Sequence, residues 1–141
     1  MKRLFKNIFI LTIRQKKLIV QVFVLSIYRY LLLLLRSNTA FSEKIIKKAP
    51  HDVFLSPKKT AIARDIALAI TIVNKYVPWK NVCRHQSWQA VYLLLKYHIP
   101  FQFYVGVKKS SETTEGHSWV KVNDKFICGR CNEKDYVILN Q

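Results

Sequence analysis

The spacing of apolar residues along this chain changes once, near residue 100. Before that point apolar positions recur at the three-to-four-residue interval of helices, and after it they alternate with polar positions as in half-buried strands. The order of the two patterns predicts an α+β fold, in which helices precede a small antiparallel sheet.

Three helical segments are predicted in the first part. Residues 4–36 predict one long helix or two, apolar on every side from Leu18 onward. The pair Ser56-Pro57 predicts the start of the next helix, because serine caps helices and proline suits their first position, and Pro78 ends it. Asn81 is the expected cap of a third helix, over residues 82–97.

Four strands are predicted in the second part, at Phe101–Val107, His117–Val122, Phe126–Gly129 and Tyr136–Leu139. Residues 108–116 form a polar loop between the first two, and residues 123–125 a tight turn before the third. A polar linker at residues 37–50 divides the chain into a helical N-terminal extension, residues 1–50, and a core, residues 51–141.

The charge of the chain predicts a negatively charged binding partner. It carries 24 Lys and Arg against 8 Asp and Glu, a net charge of +16. Nucleic acid, an anionic membrane surface and an acidic peptide all fit such a charge. Because no recognised nucleic-acid-binding motif occurs, nucleic acid is not the expected partner.

The segment Leu18–Leu35 raises the question of membrane contact. Its eighteen residues are close to the minimum length of a membrane-spanning helix, with Gln21 and Arg29 its strongly polar members. An arginine near the centre of a span costs about 2.5–3.5 kcal/mol on insertion scales. A buried or surface-associated helix and a helix that contacts lipid both remain open. We expect a cytoplasmic protein, with or without contact at the inner face of the membrane.

Cys83 is the first candidate for chemistry. It lies at the predicted start of the third helix, beside Lys80 and Arg84. A thiol reacts as thiolate, and both a helix N-terminus and neighbouring cations favour the negative charge. The N–H groups of that helix start can also hold an oxyanion during acyl transfer. A small buried cysteine on an amphipathic helix is the alternative interpretation.

His117 is the candidate base, at the entrance of the second predicted strand. An imidazole there can reach a neighbouring helix end, whereas the alternative is an ordinary surface histidine. A third residue should orient the ring. The chain offers four polar candidates downstream of it, which the sequence alone does not separate: Asp124, Asn132, Glu133 and Asp135.

Two competing interpretations use other residues. Cys128 and Cys131 form a C-x-x-C that could bind zinc with Cys83, His85 or His117, but the second pair typical of zinc sites is absent. His85 could serve as the base in place of His117, but side chains two apart on a helix point in different directions. We therefore expect neither a metal nor another cofactor.

Several blocks of sequence together resemble one known family, the lasso-peptide maturation proteases. They cover about residues 60–141 in preserved order: PWKNVCRHQSWQA at 78–90, IPF at 99–101, FYVGV at 103–107, EGHSWV at 115–120 and CGRCNEKDY at 128–136. The resemblance implies a transglutaminase/papain-like core, in which the nucleophile helix packs on a small antiparallel sheet. It also implies a cysteine peptidase that removes the leader of a ribosomally made precursor.

The resemblance also implies roles for individual residues and a set of partners. Cys83 matches the nucleophile and His117 the base, whereas Gly129 stands where many relatives carry Asp, twelve residues after the histidine. Ser118 replaces the alanine of the usual His-Ala-Trp phrase. The third catalytic residue is therefore open, with Asn132 and Asp124 as the candidates retained. The implied partners are the precursor's leader, a small leader-recognition protein and a lasso cyclase, and any nucleotide requirement is open. The alternative function is a basic membrane- or nucleic-acid-associated protein with an inactive peptidase-like core.

Overall fold

The computed structural model describes residues 10–35, 55–109 and 115–140. Within them the helices are α1 (Ile13–Leu35), α2 (Pro57–Tyr76) and α3 (Cys83–Lys96). The strands are β1 (Gln102–Lys108), β2 (Gly116–Val122), β3 (Lys125–Cys128) and β4 (Tyr136–Asn140), with a short 3₁₀ turn at Glu133–Asp135. The predicted α+β class is confirmed. The predicted linker and most of the predicted β1–β2 loop lie outside the described residues, and the predicted division at residue 50 stays a prediction.

The ends of α2 follow from local chemistry, as predicted. Ser56 is the N-cap, and its hydroxyl accepts a hydrogen bond from the amide of Lys59 at 3.4 Å. Pro57 occupies the first turn, where its missing N–H costs nothing. The helix ends at Tyr76, with Val77 as its C-cap, because the residue before Pro78 is pushed towards extended backbone.

The sheet is fully antiparallel, in the order β3-β2-β1-β4. Asn123 and Asp124 both have positive φ (46° and 60°), the conformation that closes a two-residue hairpin between β2 and β3. In β1 and β2, Phe103 and Val120 face the helices, whereas the next residues along, Tyr104 and Trp119, stack with each other on the opposite face. The two faces therefore carry different side chains, and only one of them packs on the helices.

All three helices share one hydrophobic core with the sheet. Its fully buried members come from each helix and from the inner face of the sheet: Leu18, Val22, Ile66, Ile70, Leu93, Leu94 and Val120. The helix α3 packs directly on β2 and β3, and α1 packs on α2. The N-terminal helix is thus part of the same packed body as the sheet.

A buried carboxylate fixes the beginning of α1 to α2. Asp65 on α2 accepts a 2.6 Å hydrogen bond from Nε of Arg14 and a 2.9 Å hydrogen bond from the side-chain Nε2 of Gln15. Its side chain is only 8 % exposed, so these bonds replace nearly all of its hydration.

None of the helices in the described ranges is both long and apolar enough to cross a bilayer.

We expect Asp65→Ala to lower the free energy of unfolding by about 1–3 kcal/mol, because Arg14 and Gln15 lose a buried acceptor. Urea denaturation measures the effect. Lys58→Ala, at an exposed position of the same helix, is the control and should change stability by less than about 0.5 kcal/mol. Equal stabilities of the two variants would show that the α1–α2 contact does not depend on this carboxylate.

Candidate active site

The helix α3 begins at Cys83 itself. The N-cap is Val82, whose carbonyl accepts hydrogen bonds from the amides of His85 (2.9 Å) and Gln86 (3.1 Å). Helix geometry leaves the amides of Cys83 and the following residue without an intrahelical acceptor. The half-buried thiol of Cys83 therefore lies beside donors that can bind a negatively charged atom.

The predicted cap Asn81 is wrong by one residue. The side chain of Asn81 is buried, and its Oδ1 accepts a 3.5 Å hydrogen bond from the side-chain Nε2 of Gln89, two turns into the helix. Its carbonyl accepts a 2.7 Å hydrogen bond from the Gln86 side chain. Asn81 thus fixes the segment that precedes α3 through contacts with Gln86 and Gln89, rather than capping the first turn.

A buried polar contact joins α3 to the sheet one turn after Cys83. The hydroxyl of Ser87 lies 3.1 Å from that of Ser118 on β2 and 3.7 Å from Sγ of Cys128 on β3. Residues four apart share a helix face, so Cys83 lies over the same corner of the sheet. Burial raises the pKa of the Cys128 thiol, and the nearby Cys83 thiol adds to this rise.

His117 precedes Ser118 on β2, and its ring lies on the face of the sheet that carries Trp119, whereas Ser118 faces α3. His117 is half-buried near the start of β2, opposite Gly106 of β1. Its ring lies 6.0 Å from that of Trp119 and 5.5 Å from that of Tyr136, centroid to centroid. A side chain at Gly106 would come within 3.1 Å of both of these aromatic residues, so the glycine leaves room for them to surround the imidazole.

The hydrogen bond that orients the imidazole comes from the backbone. Nε2 of His117 lies 2.9 Å from the carbonyl oxygen of Gly129. A carbonyl oxygen only accepts, so Nε2 carries a proton and donates it. In the neutral ring the lone pair is then on Nδ1. This is the tautomer in which Nδ1 can take a proton from a thiol.

The backbone conformation that presents this carbonyl requires glycine. Gly129 has φ +68°, a left-handed conformation disfavoured for other residues. A Cβ there would overlap the carbonyl oxygen of Ser118 and lie 2.9 Å from Cα of Trp119. The residue that replaces the aspartate of the resemblance is thus confined to glycine by its surroundings.

Neither retained candidate for the third residue has its side chain directed at His117. The Asn132 amide donates to the Asp135 carboxylate at 3.0 Å. Asp124 lies in the exposed hairpin turn, with its carboxylate 3.7 Å from Nζ of Lys121. The structure instead gives the orienting contact to a main-chain atom, which no pattern of side chains in the sequence can signal.

Glu133 supports the histidine indirectly. Its carboxylate accepts hydrogen bonds from Nε1 of Trp119 at 2.9 Å and from Nζ of Lys121 at 3.2 Å. The indole it holds is fully buried and lies against the imidazole. Glu133 therefore fixes the aromatic wall of the site.

Comparison with known families agrees with this arrangement. The sequence model of the transglutaminase-like superfamily matches residues 26–141. The chain belongs to the transglutaminase-like superfamily. That superfamily includes cysteine peptidases. Searches of curated proteins and of solved structures found no match.

Within this transglutaminase-like domain, the second and third cysteines are poorly suited to zinc or redox chemistry. Burial raises the pKa of the Cys128 thiol to about 12. Burial also raises the pKa of Cys131, as do the nearby carboxylates of Glu133 and Asp135. All three cysteines are free thiols, and no three His, Cys, Asp or Glu side chains in the described ranges are grouped to share a metal ion.

His85 faces a different part of the domain from His117. Burial lowers the pKa of its imidazole, and the positive charges of Arg29 and Arg84 lower it further. The contribution from Arg29 places His85 on the side of α3 that looks towards α1. The competing interpretation of His85 as the base of Cys83 is thus not supported by its surroundings.

A cavity of about 470 Å³ lies between α2 and the β2–β3 hairpin. Its charged lining is mainly basic, with Arg64, Lys125 and Arg130 against Asp124. Arg130 directly follows Gly129, so one end of this cavity reaches the segment that orients His117.

We expect Gly129→Ala to lower the free energy of unfolding by about 1–3 kcal/mol and to release the His117 ring, because alanine strains the left-handed backbone. Urea denaturation measures the first effect, and the ¹⁵N shifts of the imidazole, which report its tautomer, measure the second. The matched control is Gly116→Ala, where a Cβ meets nothing within 4 Å. An unchanged tautomer in Gly129→Ala would contradict the orienting role of this carbonyl.

Alkylation should separate the cysteines. We expect iodoacetamide at pH 8 to modify Cys83 first, Cys131 more slowly, and Cys128 only on unfolding, since its thiol stays protonated far above that pH. Peptide mass spectrometry over a time course measures the order. Labelling of native Cys128 as fast as that of Cys83 would contradict the buried position of Cys128.

Proposed function

We propose that this protein is a cysteine peptidase that removes the leader from a ribosomally synthesised lasso precursor. The observations that support the proposal are a thiol at a helix start and, on the strand that packs against that helix, a histidine whose Nε2 is held by a backbone carbonyl. Membership of a superfamily that includes cysteine peptidases supports the reaction class. The specific substrate rests on the resemblance of residues 78–90, 99–107, 115–120 and 128–136 to lasso-peptide maturation proteases.

The reaction is acyl transfer in two stages. Nδ1 of His117 takes the proton of the Cys83 thiol, and the thiolate attacks the carbonyl carbon at the leader–core junction. The amides at the start of α3 stabilise the oxyanion. As the tetrahedral intermediate collapses, the imidazolium gives its proton to the nitrogen of the leaving core, and the leader remains as a thioester on Cys83.

Water completes the cycle. His117 takes a proton from the water that attacks the thioester, then returns it to the sulfur as the leader leaves with a new carboxylate. The core leaves with a free amine, the group that a lasso cyclase joins to a side-chain carboxyl. The thiol proton leaves on the core amine and a proton from water replaces it, so Cys83 and His117 end in their starting protonation states, and the proposed cycle uses no cofactor.

The proposed partners follow from the resemblance, and the charge of the domain is compatible with an acidic precursor. A small leader-recognition protein would bind the leader and present its junction to Cys83, and the cyclase would take the released core. The net charge of +16 draws an acidic precursor towards the domain, most strongly at low ionic strength. The peptidase would act in the cytoplasm, where precursor peptides are made.

We expect Cys83→Ala and His117→Ala each to lower the rate of precursor cleavage by about 10³-fold or more, because the nucleophile and its base act as a unit. The assay follows leader release by mass spectrometry, with the cognate precursor and the leader-recognition protein present.

Cys131→Ser is the matched control, since it removes a thiol that has no part in the proposed cycle, and it should cleave at the wild-type rate. Cleavage by Cys83→Ala at the wild-type rate would end the proposal. An inactive wild-type chain with every partner present would instead favour the alternative of a basic binding protein with an inert peptidase-like core.

A further inference from the structure

Beyond Val22 the helix α1 buries polar side chains and exposes apolar ones, whereas Leu18 and Val22 themselves are buried in the core. Its buried face carries Ser26 and Arg29, which are 2 % and 7 % exposed. Its outer face, from the middle of the helix to its end, carries exposed apolar side chains, here called the apolar face: Val20 (60 %), Phe23 (44 %), Val24 (57 %), Leu31 (48 %) and Leu34 (65 %). A contiguous exposed apolar face of this kind is typical of a surface that meets an apolar partner.

Aromatic side chains with polar tips border the apolar face on both sides. On one side Tyr30 stacks on Trp79 at 5.2 Å, and the indole N–H of Trp79 donates to the buried Ser26. On the other side Tyr28 stacks on Trp88 at 6.2 Å, and Trp88 on Tyr92 at 6.0 Å. An aliphatic centre flanked by Tyr and Trp is the composition found where proteins meet the boundary between water and lipid.

Positive charge brackets the same helix in the sequence. Lys16 and Lys17 lie in its first turns. The segment before it contains Lys2, Arg3 and Lys6, and the one after it Arg36, Lys44, Lys47 and Lys48, with Glu43 the one acid among residues 1–9 and 36–50. Basic residues flanking an apolar helix face are complementary to the headgroups of anionic lipids.

We propose that the apolar face of α1 docks on an anionic lipid surface, with the helix lying in the interface rather than crossing it. The exposed aliphatic side chains enter the acyl boundary, and the tyrosines and tryptophans lie at the level of the headgroups. The flanking lysines and arginines contact the phosphates. A buried Arg29 on the opposite side of the helix is compatible with this orientation, because that side stays against the protein. The inference is independent of the peptidase activity.

The test uses the full chain and two kinds of vesicle, phosphatidylcholine alone and phosphatidylcholine mixed with phosphatidylglycerol. We expect the chain to sediment with the mixed vesicles and to bind them at least about tenfold more tightly than the neutral ones, since each basic residue near an anionic surface contributes. Added salt should weaken this binding without abolishing it, because the apolar contacts are not screened.

The deciding variant is Val24→Asp with Leu31→Asp, which places two carboxylates in the apolar face. We expect this variant to bind vesicles about tenfold or more weakly, because losing the burial of even one Val or Leu side chain in the lipid lowers the affinity by that factor. Leu68→Asp is the matched control, an exposed leucine of α2 outside the apolar face, and it should bind as the wild type does. Circular dichroism and urea denaturation verify that both variants are folded.

Three results would overturn the inference. One is a wild-type chain that binds neither vesicle. Another is equal binding by the apolar-face variant and Leu68→Asp. The third is a wild-type dimer in buffer that the apolar-face variant dissociates, since a second copy of the chain would then be the occupant. Cys83→Ala should bind vesicles as the wild type does, so failure of the peptidase proposal and failure of this one are distinguishable.

Discussion

The packing of α3 on the sheet is the contact on which the candidate active site depends. Its first buried point is the pair of hydroxyls of Ser87 and Ser118, with the Cys128 thiol beside them. Because Cys83 is one turn before Ser87, this contact places the start of α3 over the strand that His117 opens. The serine that replaces alanine in the His-Ala-Trp phrase has a buried partner in Ser87, which satisfies the polar group it introduces.

Where the resemblance leads us to expect an acid, the main-chain carbonyl of Gly129 orients the histidine. A carboxylate both fixes the ring and stabilises the imidazolium, whereas a carbonyl fixes the ring with a hydrogen bond about half as strong. It still selects the useful tautomer, since a carbonyl never donates. A side-chain amide lacks that property because it offers both a donor and an acceptor.

The helices and strands of this fold were predictable because residues close together in the sequence signal where each begins or ends. The Ser56-Pro57 start, the stop at Pro78 and the change of apolar period near residue 100 each reflect short-range chemistry, and each corresponds to an observed helix end or strand. Asn81 failed as a cap for a long-range reason: its side chain is buried under α3 beside Gln89. The orienting partner of His117 was beyond prediction because it is a main-chain oxygen, displayed by a left-handed bend that depends on the packing of β2 against Gly129.

The two proposed surfaces share the helix α3. Cys83 and Ser87 lie on the side that packs on the sheet, while Trp88 and Tyr92 lie on the side that continues the border of the apolar face of α1. Residues on opposite sides of one helix cannot face the same partner. A domain seated on lipid through α1 would therefore hold Cys83 away from the bilayer, on the side where the proposed precursor would bind. The helix α3 would then set both the orientation of the domain on the membrane and the position of its nucleophile.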